Sequence, residues 1–203
     1  MSDPGNLFNE QLISFLSILA NEGATNAARG FGSMVGYELG VTKPNVRMVH
    51  LSEIPNLMGG PEKEAVGIYL RIEGDLTGQI MLVIPYEKAF ELVKLLLGDD
   101  IPLSSELGRL ERSALAEVGN LTASFFLNAV ATKTGLSVRP SPPAVIVDMV
   151  GAILDIVIAT TGGITEHVIL LGSTFQYQER EVDCEFWVIP DPSALDRFTS
   201  GSN

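Results

Sequence analysis

Apolar side chains recur at steps of three and four from residue 10 to about residue 36, led by Leu12, Phe15, Leu16 and Leu19, and this spacing predicts an amphipathic helix. Gly23 and Gly30 weaken it, each by about 1 kcal/mol against alanine unless close packing requires a glycine. Residues 1–9 read as a mobile leader. Beyond Gly40 the period shortens, and 46–51, 65–72 and 78–84 read as strands. Glu73-Gly74-Asp75 is a turn signal that makes 65–84 a hairpin or meander. Pro85 closes the third strand, and 87–97 is an amphipathic helix stopped by Gly98.

The second half repeats this order. Ser104 or Ser105 is placed to cap a long helix, with Glu106 or Glu111 in its first turns and Gly135 at its end. Its apolar stripe runs Leu107, Leu110, Ala114, Val118, Leu121, Phe125. Strands are expected over 145–150, 152–159, 167–174 and 182–189, with room for a helical turn around 149–156, and a short helix over 193–198.

The halves share landmarks at one offset. Ser14, Ile18 and Asn21 have the spacing of Ser113, Glu117 and Asn120; Asn21 and Asn120 lie 99 residues apart, as do Pro44 and Pro143. Val83-Ile84-Pro85 and Val188-Ile189-Pro190 lie 105 apart, which calls for about six inserted residues in the strand region of the second copy. A tandem duplication explains all of these. The expected product is a single α/β domain over 1–203, built from repeats at about 10–100 and 104–198. It should be pseudo-twofold, with a mostly antiparallel sheet and two long helices that carry the motif positions. No Pro/Ser/Gly-rich linker divides the halves.

Positions 113, 117, 120 and 124 align on one helical face, one residue ahead of the apolar stripe and so about 100° around from it. Ser113, Glu117, Asn120 and Ser124 would project from the flank. A carboxylate can pair with a partner's cation, and an amide can both donate to and accept from water. Asparagine is a poor helix-interior residue, so two at matched positions suggest a role beyond helix propensity. The first copy keeps the amide but has Ile18 where the second has Glu117, which points to one working centre.

The remaining composition narrows the alternatives. A net charge of −12 opposes nucleic-acid binding, which rests on neutralising phosphates. The strongest apolar run, 145–158, is broken by Asp148 and Asp155 and falls short of the ~20 residues of a membrane span. No basic leader precedes an apolar stretch, and one cysteine, Cys184, excludes an intramolecular disulfide; both fit a cytoplasmic location. His50 and His167 stand alone among apolar neighbours, without metal-ligand spacing, and Cys184 alternates with acidic residues. No metal site is expected.

The combination Ser113, Glu117, Asn120, then Pro143 after twenty-two intervening residues, resembles the motif of the CheC/CheX/FliY phosphatases of chemotaxis. The run from Asn21 to Ala28 and the stretch Val145 to Met149 after Pro142-Pro143 are also similar to CheC, and the likeness covers about 10–198. The resemblance implies a stand-alone CheC-like protein that hydrolyses the aspartyl-phosphate of a CheY-type receiver. The receiver would supply the phosphoryl group, Mg²⁺ and a lysine, so this chain would bind no cofactor. Glu117 would pair with that lysine and Asn120 would orient the attacking water; Ser113 and Pro143 would support them. The first centre, Ser14, Ile18, Asn21 and Pro44, would be degenerate. A CheD-type partner would contact the region of Asp148, and the internal twofold favours a monomer. The rival reading is a non-hydrolysing adaptor like the FliM middle domain.

Overall fold

A computed structural model of the chain describes residues 4–36, 38, 40–98, 106–161, 166–177 and 179–191. The first half runs α1 (Pro4–Val35), β1 (Gly40–Val41), β2 (Asn45–His50), a 3-10 turn (Leu51–Glu53), α2 (Ile54–Leu57), β3 (Glu64–Gly74), β4 (Gly78–Pro85) and α3 (Tyr86–Leu97). The second runs α4 (Arg109–Thr134), β5 (Val138–Pro140), β6 (Ala144–Met149), α5 (Val150–Thr160), β7 (His167–Tyr177) and β8 (Arg180–Pro190). Helix, two short strands, helix and hairpin therefore occur twice. β2 and β6 both start and end 99 residues apart, which carries the sequence offset into the sheet. The offset breaks at the second helix of each half, where α5 has 11 residues and α2 only 4. The inserted residues begin in a helix rather than in the strands.

All strand pairings among the described residues are antiparallel, in the order β1-β7-β8-β4-β3-β5, with β2 also on β7 and β6 also on β3. β4 and β8, one from each half, form the centre. The outer strands are exchanged: β1 and β2 of the first half border β7 of the second, and β5 and β6 of the second border β3 of the first.

Helices cover both faces of the sheet, so β4 is buried on both sides and reads as a continuous apolar run. Its Ile80, Leu82 and Ile84 join the core beneath α1, α3 and α4, while Met81 and Val83 join Trp187, Ile153 and Val157 beneath α5. α1 buries Leu16, Leu19, Ala20, Ala27 and Phe31, one helical stripe. Gly23 and Gly30 sit where α1 meets α4: a Cβ on Gly30 would come within 2.6 Å of the Phe125 ring, and one on Gly23 within 3.0 Å of the Phe126 backbone. Both glycines are thus packing residues.

Four expectations need correction. α1 begins at Pro4, so 4–9 are helical rather than a leader; proline suits the first helical position, where its missing N–H costs nothing. Residues 152–159 are helix, not strand, and α5 buries Val150, Ile153, Leu154 and Val157 on the back of the sheet. α4 starts after Gly108, which lacks a side-chain cap, while Ser104, Ser105 and 193–198 lie outside the described residues. The buried face of α4 is Glu111, Leu115, Val118, Gly119, Ala123, Phe126 and Val130, not the stripe through Leu110, Ala114 and Phe125. Among the described residues α4, rather than 145–158, is long and apolar enough to cross a membrane, but here its buried face lies on the sheet and α1. It ends at Gly135, whose φ of 72° makes the left-handed cap that glycine permits.

Candidate functional site

Gly119 fixes how the motif helix sits. A Cβ there would collide with the side chain of Ile68 on β3, so α4 approaches the sheet closely at the residue between Val118 and Asn120. With Val118 and Gly119 turned inward, Glu117 is exposed and Asn120 half-exposed. Ser113 is exposed one turn earlier. The stripe thus lies roughly 160° around α4 from its buried face, taking 100° per residue, and not on the flank. Neither the Glu117 nor the Asn120 side chain makes a hydrogen bond or ion pair among the described residues, so both can engage a partner. Leu110 lies on the same outward side and is 51% exposed. Its place in the apolar stripe predicts burial; it is instead an exposed apolar side chain two turns before Glu117.

The corner leading to Pro143 is tied to the sheet by a clamp that sequence reasoning missed. The backbone N–H of Ser141 donates to the Arg71 carbonyl at 2.9 Å, and the Arg71 N–H donates to Ser141 Oγ at 2.9 Å. Ser141 is buried and Pro143, two residues on, half-buried. The first half repeats the arrangement 99 residues earlier: the Thr42 N–H donates to the Thr174 carbonyl at 3.0 Å, and the Thr174 N–H donates to Thr42 Oγ1 at 2.9 Å. A hydroxyl residue two before each proline was the only available signal.

At the first centre Ser14, Ile18 and Asn21 face outward on α1, with Ile18 56% exposed, while Pro44 is buried. These three helix residues share a groove with Arg29 and Lys43. Glu22 in the same groove reaches Lys133 of α4 at 3.6 Å. Both centres therefore present their motif helix to solvent, and only the second carries the carboxylate.

The other titratable candidates lie elsewhere. His50 and His167 are not isolated: they face each other across β2 and β7, with ring centroids 5.3 Å apart. The Ser52 N–H donates to His50 Nδ1 at 3.2 Å, which engages that nitrogen locally. Among the described residues no three His, Cys, Asp or Glu side chains gather as a metal cluster. Cys184 is buried beneath α1 and α4, and its thiol pKa is pushed up, first by burial and then by Asp183 and Glu185, so it is no ready nucleophile. Asp148 is exposed at the end of β6, where its Oδ1 accepts from the Met149 N–H at 2.8 Å.

The chain is similar to chemotaxis proteins in sequence and in fold. The family model of CheC-like proteins matches residues 110–147, the segment that holds Ser113, Glu117, Asn120 and Pro143. The chain is 27% identical over 197 residues to the CheY-P phosphatase CheC of Bacillus subtilis, across 95% of this chain and 94% of the relative. Among solved structures, FliY of Thermotoga maritima superposes with a TM-score of 0.67 at 16% identity, covering all of both chains. The FliM middle domain of Vibrio alginolyticus superposes at 0.65 with 13% identity, over 92% of this chain and 98% of that one. In motif, full-length sequence and fold alike, the chain is similar to CheC-like proteins, among them a CheY-P phosphatase.

Proposed function

We propose that the chain hydrolyses the aspartyl-phosphate of a CheY-type receiver at its second centre. The observation that carries this reading is the outward, unpaired presentation of Glu117 and Asn120 on a helix whose height over the sheet is set by Gly119. Phosphoryl transfer asks little covalent work of a protein, because its transition state is loose and catalysis is mostly positioning. Asn120 orients a water in line with the phosphorus; a neutral amide can enter an anionic pocket that would repel a carboxylate. Glu117 pairs with a lysine of the receiver and sets the docking angle. Ser113 supports from one turn away, and Pro143 shapes the neighbouring corner. The metal belongs to the receiver, which brings Mg²⁺ with its phosphoryl group. A CheD-type partner would dock near Asp148 and the exposed Met149, and the protein would act as a monomer.

The test is the decay of a phosphorylated receiver with the purified chain. Wild type should accelerate it, and Asn120→Ala should remove about 100-fold of the acceleration, the loss expected when a reacting group is no longer positioned. Decay that is equally fast with Asn120→Ala excludes the assignment. Ile18 at the first centre and the likeness to FliM favour a second reading, an adaptor that binds receivers and hydrolyses nothing. That reading holds if wild type binds the receiver but leaves its decay unchanged.

A further inference from the structure

The two centres are copies in shape but not in charge. At matched positions 99 residues apart, Glu117 is replaced by Ile18, Asn128 by Arg29 and Pro142 by Lys43. The loss of Glu117 is offset by Glu22, which stands where the second centre has Leu121, and two positive charges are gained. Arg29 and Lys43 are exposed, lie in one groove with Ile18 and Asn21, and make no ion pair among the described residues. Among the described residues the acidic side chain in that groove is Glu22, which lies 3.6 Å from Lys133. In a chain of net charge −12 such a pair of free cations is a local reversal of sign, and it selects for an anionic partner.

We propose that the first centre is a second receiver-binding surface, which holds a phosphorylated receiver without hydrolysing it. The partner class rests on the function proposed above; the separate role of this centre rests on its own residues. The pseudo-twofold gives α1 the outward face that α4 presents, so the same partner shape fits. The acidic, phosphoryl-bearing pocket of a receiver matches Arg29 and Lys43, and Asn21 is retained to meet it. Ile18 offers an apolar contact but no carboxylate for the partner's lysine, so the docking angle that aligns a water is not fixed.

The experiment is titration calorimetry with a receiver carrying beryllofluoride, a phosphoryl mimic that is not hydrolysed. Wild type should bind two receivers per chain. A Glu117→Ala/Asn120→Ala variant should bind one, with an affinity that falls as salt is raised. Adding Arg29→Glu/Lys43→Glu to that variant should weaken the remaining site at least tenfold. Arg29→Gln/Lys43→Gln, which removes charge without reversing it, should give an intermediate loss. A single site in wild type, no binding to the Glu117→Ala/Asn120→Ala variant, or affinity indifferent to all four cation changes overturns the proposal. Failure of the catalytic reading shows separately, as unaccelerated decay with wild type.

Discussion

Replacing Gly119 with alanine sets two effects of opposite sign against each other. Helix propensity alone says that Gly119→Ala in the middle of α4 should stabilise by about 1 kcal/mol. The packing says otherwise, since the new methyl would overlap the Ile68 side chain, which is fully buried, and either α4 must lift or Ile68 must leave its rotamer. Overpacking of this kind costs about 1–3 kcal/mol. In a chain of this size each kcal/mol moves the melting temperature by about 2–4 °C, so a net drop of a few degrees is expected. The companion change is Ile68→Ala, which removes the overlapping methyl and leaves an approach of 3.2 Å to Cβ that a small shift relieves. In that background Gly119→Ala should become neutral or stabilising. Activity adds a second readout: lifting α4 displaces Glu117 and Asn120 together, and a shift of about 1 Å can cost about 100-fold in rate. A thermal denaturation series on the four proteins, with receiver decay measured on each, decides the matter. A rise in melting temperature for Gly119→Ala alone would refute the claim that close approach to β3 sets the height of the motif helix.

Two further outcomes follow from buried groups. Ser141→Ala strips the Arg71 N–H of its acceptor in the middle of β3 and should cost about 1–3 kcal/mol by chemical denaturation, with faster hydrogen exchange at the Arg71 amide. Glu185 on β8 is partly buried, and burial raises its carboxyl pKa against the lowering effect of Arg47, whose Nη2 lies 3.2 Å away. A carboxyl with a raised folded value favours folding most when protonated, so its contribution is present below the unfolded value and is lost as pH climbs to the folded one. Glu185→Gln should therefore flatten part of the fall in stability above about pH 4.5, and an unchanged pH profile would exclude Glu185 as its source.

Much of this was legible in the chain because the decisive signals were local. Gly98 and Gly135 ended their helices, the Val-Ile-Pro runs closed β4 and β8, and the paired asparagines marked equivalent helices. The failures share a cause in tertiary context. α5 is apolar almost throughout, so periodicity could not separate a buried helix from a buried strand, and its packing against Trp187 and Met81 decided. α4 packs against helices as well as the sheet: Phe125 leans on Gly30 of α1 while Phe126 and Val118 enter the core, which broadens its apolar girth and hides the true inward direction. The clamps at Thr42 and Ser141 left no trace beyond a hydroxyl before a proline, because their partners are backbone groups of distant strands.

The exchange of outer strands between the halves has a consequence for history as well as for folding. Half of this chain, alone, would leave β3 or β7 with a bare edge, and it could satisfy that edge only by lending and borrowing strands with a twin. Fusing the twins into one polypeptide removes the dependence on meeting a mate, and it also releases the two sides from having to be identical. That freedom is what allows one helix to hold a carboxylate at its outward turn while its counterpart holds an isoleucine.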